Sequence, residues 1–236
     1  MSWTPTSTRS SNSSSSRRAE HWPTVMSQPR RISKQKEFDD LVARAQACTV
    51  CAVHLPHGPR PIFSISPTSR LLIIGQAPGR RVHETGIPWN DPSGDTLRAW
   101  LGMTREQFYD VSNVAILPSG LCYPGTAKGS DLPPRPECAP LWHQPMLDAM
   151  PNIRLLLLIG VYAQAYYLGK RRGRTLTDTV HAWRDYAPDT VPLPHPSPRN
   201  RPWLVRNPWF EQDVLPNLKN SVGAALATGD NGGNTS

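Results

Sequence analysis

Four short apolar runs stand out from an otherwise polar, proline-rich chain: Leu71–Ile74, Val111–Leu117, Leu155–Ile159 and Thr190–Leu193. Each is too short for a buried helix and rich in Leu, Ile or Val, so each predicts a buried strand. Helical spacing fills the gaps. Phe38–Ala47 precedes the first run, and Gly94–Leu101 follows it. Thr104-x-x-Gln107 offers a capping box for another turn. Leu141–Met150 precedes the third run, while Val161–Leu168 and Leu176–Tyr186 follow it. A last helix is expected from about Asn207-Pro208 towards Ala225, with proline suited to its first turn. Strands alternating with helices predict an α/β fold: a three-layer α/β/α arrangement on a central four-stranded parallel sheet. Ligands of such sheets bind beyond the carboxyl ends of the strands. The segments after Ile74, Leu117, Ile159 and Leu193 are therefore the places to look.

Composition bounds this core. The chain has 236 residues, enough for one well-buried domain. Residues 1–20 hold eight serines, and no apolar period appears before about Lys34. Residues 1–35 are therefore expected to be a disordered Ser/Arg-rich tail, 36–226 the folded domain, and 227–236 a second disordered tail. The Ser/Arg bias of the first segment also fits an organelle transit peptide, and Met26 is an alternative start. The formal charge is +8, but residues 1–35 carry six Lys/Arg against one Glu, leaving +3 for the remainder. Charge therefore supports a nucleic-acid partner only weakly. No run reaches the roughly 20 apolar residues of a membrane helix, and no apolar secretory segment opens the chain. A cytoplasmic, nucleoid-associated monomer is the expectation.

Three local patterns carry candidate chemistry. The first strand runs into Gly75-Gln76-Ala77-Pro78-Gly79, a rigid turn where a ligand can approach the backbone. The same pattern suits phosphate binding or a plain strand-to-loop turn, though neither G-x-G-x-x-G nor a Walker A motif is present. The last strand runs into His195-Pro196-Ser197-Pro198-Arg199-Asn200-Arg201. Prolines on both sides stiffen His195, which suits a donor aimed at developing charge; an ordinary loop histidine is the alternative. Arg199 and Arg201 suit phosphates, and Asn200 and Trp203 suit bases. Finally, Cys48-x2-Cys51 and Cys122-x15-Cys138 form two local pairs. Four thiolates can hold zinc or an iron–sulfur cluster, or stand unliganded in a core.

Taken together, these segments resemble the uracil-DNA glycosylase superfamily, and within it the iron–sulfur family 4 branch. That branch carries G-E-A-P-G after its first strand, where this chain has Gly75–Gly79 as GQAPG. Its G-x-P-F is matched by Gly86-Ile87-Pro88-Trp89, its closing motif by His195-Pro196-Ser197, and its cysteine spacing by the quartet. HPSP and the Gln of GQ also resemble family 1. The resemblance spans roughly residues 40–220 and implies a DNA glycosylase of base excision repair that extrudes uracil into a pocket. It implies a structural 4Fe-4S cluster, with zinc as the alternative, on Cys48, Cys51, Cys122 and Cys138. His195 and Gln76 are the implied catalytic pair. Gly75, Gln76, Ala77, Pro78, Gly79, Trp89 and Ser197 would bind substrate, with Trp89 stacking on the base. Pro196, Arg199, Asn200 and Arg201 would meet single- or double-stranded DNA, and Lys128 and Arg135 would form a basic loop nearby.

Two positions depart from the family. Where family 4 carries a uracil-reading asparagine before the third cysteine, this chain has Pro118, and Asn113 fits only with an inserted residue. GQAPG also lacks an acid; Asp91 and Asp95 are candidate replacements, but both suit capping of the next helix. A glycosylase-like protein that binds flipped or single-stranded DNA without cleaving it is therefore the competing expectation. A glycosylase for another lesion and a phosphate-handling α/β enzyme are further alternatives.

Overall fold

The computed structural model describes residues 33–227. The tails expected to be disordered lie almost wholly outside that range. Three of the four predicted strands appear with the expected ends: β1 (Leu71–Ile74), β5 (Leu155–Ile159) and β6 (Thr190–Leu193). The fourth is shorter than expected. Its apolar run begins at Val111, but β2 covers only Val114–Ile116. The Asp110 carboxylate accepts from the Ser112 backbone N–H at 3.0 Å and from Asn113 Nδ2 at 2.7 Å, folding Val111–Asn113 into a turn. A two-strand hairpin, β3 (Thr126–Ala127) and β4 (Ser130–Asp131), was not expected.

The helices are α1 (Lys34–Gln46), α2 (Arg80–Thr85), α3 (Pro92–Leu101), α4 (Arg105–Tyr109), α5 (Cys138–Asp148), α6 (Gly160–Leu168), α7 (Leu176–His181), α8 (Arg201–Arg206) and α9 (Leu215–Leu226). Helix α1 starts at Lys34, two residues before the expected start of the folded domain. The capping box at Thr104 forms as read, and Thr175 with Asp178 makes a second. The helix expected over Leu176–Tyr186 breaks into α7 and a 3-10 turn, Trp183–Asp185. A wide turn over Phe210–Val214 leads into α9. The short helices α2 and α8 have too few residues to show a period.

The four long strands form one parallel sheet in the order β2-β1-β5-β6. Strand alternation sends Leu71 and Ile73 to one face and Leu72 and Ile74 to the other. The first face is buried under α3, α7 and α9, and the second under α1, α5 and α6. This is the predicted three-layer α/β/α architecture. From β1 the chain crosses to β2 on one side, while β5 pairs on the other. The order therefore reverses between β1 and β5, and a crevice opens there beyond the carboxyl ends.

Candidate active site

The crevice is a cavity of about 280 Å³. The turn after β1, Gly75–Gly79, forms its floor, and Ile116 and Pro118 at the end of β2 form one side. His195, Ser197 and Arg199, which follow β6, reach it from the other side. Trp89 closes it, 5.6 Å from His195 between ring centroids. Two glycines permit this approach. A Cβ on Gly75 would lie 2.9 Å from the Trp89 indole, and a Cβ on Gly94 would lie 1.8 Å from the Trp89 carbonyl oxygen. Trp89 itself takes a left-handed backbone, φ 55°, a conformation rare for a bulky residue. Neighbours hold it: Arg98 donates to the Trp89 carbonyl at 3.4 Å, and the Tyr109 hydroxyl donates to the Pro88 carbonyl at 2.8 Å.

The turn after β1 is tied to its surroundings through the backbone. Ser119 donates to the Gly75 carbonyl from its N–H and hydroxyl, at 2.9 and 2.8 Å, and the Gly120 N–H donates to the Gln76 carbonyl at 2.9 Å. The Gln76 side-chain amide donates to the Leu132 carbonyl at 3.0 Å. The His195 loop is tied likewise: Asn200 Nδ2 donates to the His195 carbonyl at 2.7 Å, and Ser197 Oγ accepts from the Arg199 N–H at 3.3 Å. Burial lowers the pKa of His195, with Asp91 partly opposing it. Its imidazole is therefore neutral at pH 7 and can donate one N–H.

The structure redistributes several expected roles. Asn200 turns inward to brace the histidine loop. Trp203 packs against Trp209 and Phe210 and donates to Thr177 Oγ1 at 2.8 Å, so it is a half-buried residue packed against the core. Pro196 and Arg201 line a separate depression beside Thr96 and Trp100. Arg135 pairs with Glu137 at 2.6 Å, which offsets the charge expected of that loop. Asn113 sits at the amino end of β2, outside the cavity lining, where it bonds Asp110. Asp95 pairs with Arg98 at 2.5 Å. Asp91 caps α3, accepting from the Gly94 N–H at 2.8 Å, and also lines the cavity. Pro118 lines it as well, and its carbonyl accepts from His143 Nε2 at 3.1 Å.

Sequence reasoning missed Asp131. Hairpin residues Thr126, Gly129 and Asp131 form a wall of the cavity. Partial burial raises the Asp131 pKa, Arg199 opposes this and Asp91 adds to it. Nothing in the local sequence marks this aspartate, because β3 and β4 have two residues each.

The four cysteines meet. Cys48, Cys51, Cys122 and Cys138 line one narrow cavity with Leu121 and Trp142, and none forms a disulfide. Cys51 Sγ lies 3.7 Å from Glu137 Oε2. Burial first, then the neighbouring thiols, pushes Cys122 up to about 11 and Cys138 up to about 12. Among the described residues, no three His, Cys, Asp or Glu side chains converge closely enough to hold a single metal ion. Tetrahedral zinc needs sulfurs about 3.8 Å apart, given Zn–S bonds of about 2.3 Å. A cubane cluster holds its cysteines further apart, because each binds a different iron. Trp142 Nε1 is buried and has no hydrogen-bond partner. Three buried thiols, the half-buried Cys48 and an unpartnered donor fit a sulfur-rich group better than a lone ion.

A parallel sheet between two helical layers, with a glycine–proline turn, a tryptophan and a neutral histidine around one cavity at its carboxyl rim, defines a three-layer α/β/α protein with a candidate ligand pocket. Residues 63–219 match the model of the uracil DNA glycosylase superfamily. That match covers more than half of the chain, and the protein belongs to this superfamily. Among the described residues, no helix is long and apolar enough to cross a membrane.

Proposed function

We propose that this protein is a DNA glycosylase that hydrolyses the N-glycosidic bond of uracil, or of a related deaminated base, in DNA. The observation that carries this reading is the meeting of the Gly75–Gly79 turn, Trp89 and His195 around one cavity at the reversal point of the sheet. An extruded base enters there and stacks on Trp89, an interaction worth about 1–3 kcal/mol. As the bond breaks, negative charge grows on the ring, and His195 donates its N–H to the uracil O2. A neutral imidazole suits this role, since it gives a hydrogen bond without surrendering a proton. Gln76 and the backbone N–H groups of its turn face the base and the attacking water. Asp91 and Asp131 are the carboxylates of the cavity lining, and they orient that water. Arg199 lies at the cavity and meets a phosphate.

In the same reading, Cys48, Cys51, Cys122 and Cys138 hold a 4Fe-4S cluster. When bound, it supplies cross-linking rather than redox chemistry. Its residues staple α1 to the loop that carries β3 and β4, and so steady the wall containing Asp131. The shared cavity of the thiols and the unpartnered indole N–H support this.

One observation favours binding without cleavage. Gln76 stands where the family 4 motif carries a glutamate, and its amide nitrogen donates to the Leu132 carbonyl. A panel of labelled oligonucleotides, single- and double-stranded, with uracil and other damaged bases, separates the readings. Release of free base establishes the glycosylase. Retention of damaged DNA with every base intact establishes the binder, and neither outcome rejects both.

A further inference from the structure

Trp142 and Cys138 stand four residues apart on α5, so their side chains share one helix face. Both line the cavity of the thiol quartet. Trp142 is 9% exposed, and its indole N–H is one of two buried side-chain polar atoms without a partner among the described residues. A buried donor left unpaired costs about 1–3 kcal/mol. Burying a tryptophan normally brings a partner for its N–H, and the wall here offers Leu121, Leu55 and prolines besides sulfur. Among the side chains of that lining, only the cysteine sulfurs can accept a hydrogen bond.

We propose that Trp142 donates its indole N–H to a sulfur of the group held by the four cysteines and raises that group's reduction potential. The inference rests on the cluster reading above. A hydrogen bond to sulfur withdraws electron density and favours the reduced form, so losing it makes the cluster harder to reduce. Trp142 acts here on the cofactor, not on the DNA.

The test uses full-length protein purified anaerobically, wild type and Trp142→Phe. Iron and acid-labile sulfide are measured first, and their absence from wild type overturns the cluster reading and this inference together. Where both proteins carry the cluster, a more negative midpoint potential in Trp142→Phe supports the bond, and an unchanged potential overturns it while leaving the cluster in place. Should the variant lose its cluster, wild type grown with indole-15N tryptophan decides the matter. Pulsed electron paramagnetic resonance of the reduced cluster is expected to show one 15N coupling and an exchangeable proton. Lack of that coupling overturns the proposal.

Discussion

At the scale of single residues, burial and prolines together hold His195 in place at the cavity. Pro194 and Pro196 limit its backbone, Asn200 grips its carbonyl, and burial keeps its ring neutral. Replacing it by Ala or Asn is expected to lower base release about a hundred- to a thousandfold. Single-turnover assays measure this, and near-wild-type rates would refute the role. His143 is a second decisive residue, and its place was invisible in sequence. Its Nε2 faces the Pro118 carbonyl, which only accepts, so Nε2 carries the proton and Nδ1 accepts from the Tyr167 hydroxyl at 2.6 Å. Burial pushes its pKa down to about 4 from the ordinary 6.5. Between those values the unfolded chain binds a proton that the native state refuses. Stability therefore rises with pH across this window and is lost as pH falls from 6.5 towards 4, by roughly 3 kcal/mol at most. Thermal melting of wild type should decline through that range more steeply than that of His143→Gln. Parallel declines would show that His143 is not the titrating group.

At the scale of elements, the α3 start and the Trp89 shelf are one device. Asp91 caps the helix, Gly94 lets the Trp89 carbonyl approach it, and buried Arg98 reaches back to the same carbonyl. Gly94→Ala has no room for its methyl group and must displace the tryptophan. Misplacing a positioning group by about 1 Å can cost a hundredfold, so kcat/KM on uracil-containing DNA should fall about that much. Gly223→Ala is the control. Nothing lies within 4 Å of the added carbon in α9, and the change should stabilise the protein by about 0.5–1 kcal/mol with activity intact. Equal activity in the two variants would remove Trp89 from the pocket's working parts. Element ends were also where sequence reading strayed. Only Val111 of the three residues Val111–Asn113 is apolar, and the Asp110 side-chain bonds turn the segment aside from β2.

At the scale of the whole molecule, the thiol quartet and the proposed base pocket share one loop. Residues between Cys122 and Cys138 leave the cysteine cavity, form the β3–β4 hairpin, and line the candidate active-site cavity through Thr126, Gly129 and Asp131. Leu132 in the same loop accepts from Gln76. Cys138→Ser should therefore strip iron and sulfide, lower Tm by roughly 5–10 °C, and weaken base release without touching a reacting group. Elemental analysis, calorimetry and the oligonucleotide assay report these separately. A variant that keeps its melting point and its activity would show that the quartet holds nothing the fold needs.

The sequence alone determined the strands β1, β5 and β6, the layering around them, and the segments that meet at the carboxyl rim. It could do so because apolar runs, caps and glycine–proline turns act over a few neighbouring residues. Only tertiary structure decided that Asp131 enters the cavity, that Asn200 and Trp203 turn inward, and that Trp142 stands among the thiols with an unpartnered N–H. Those outcomes depend on which distant surfaces come together and on the acceptors each buried donor finds there, and neither is written in any short stretch of the chain.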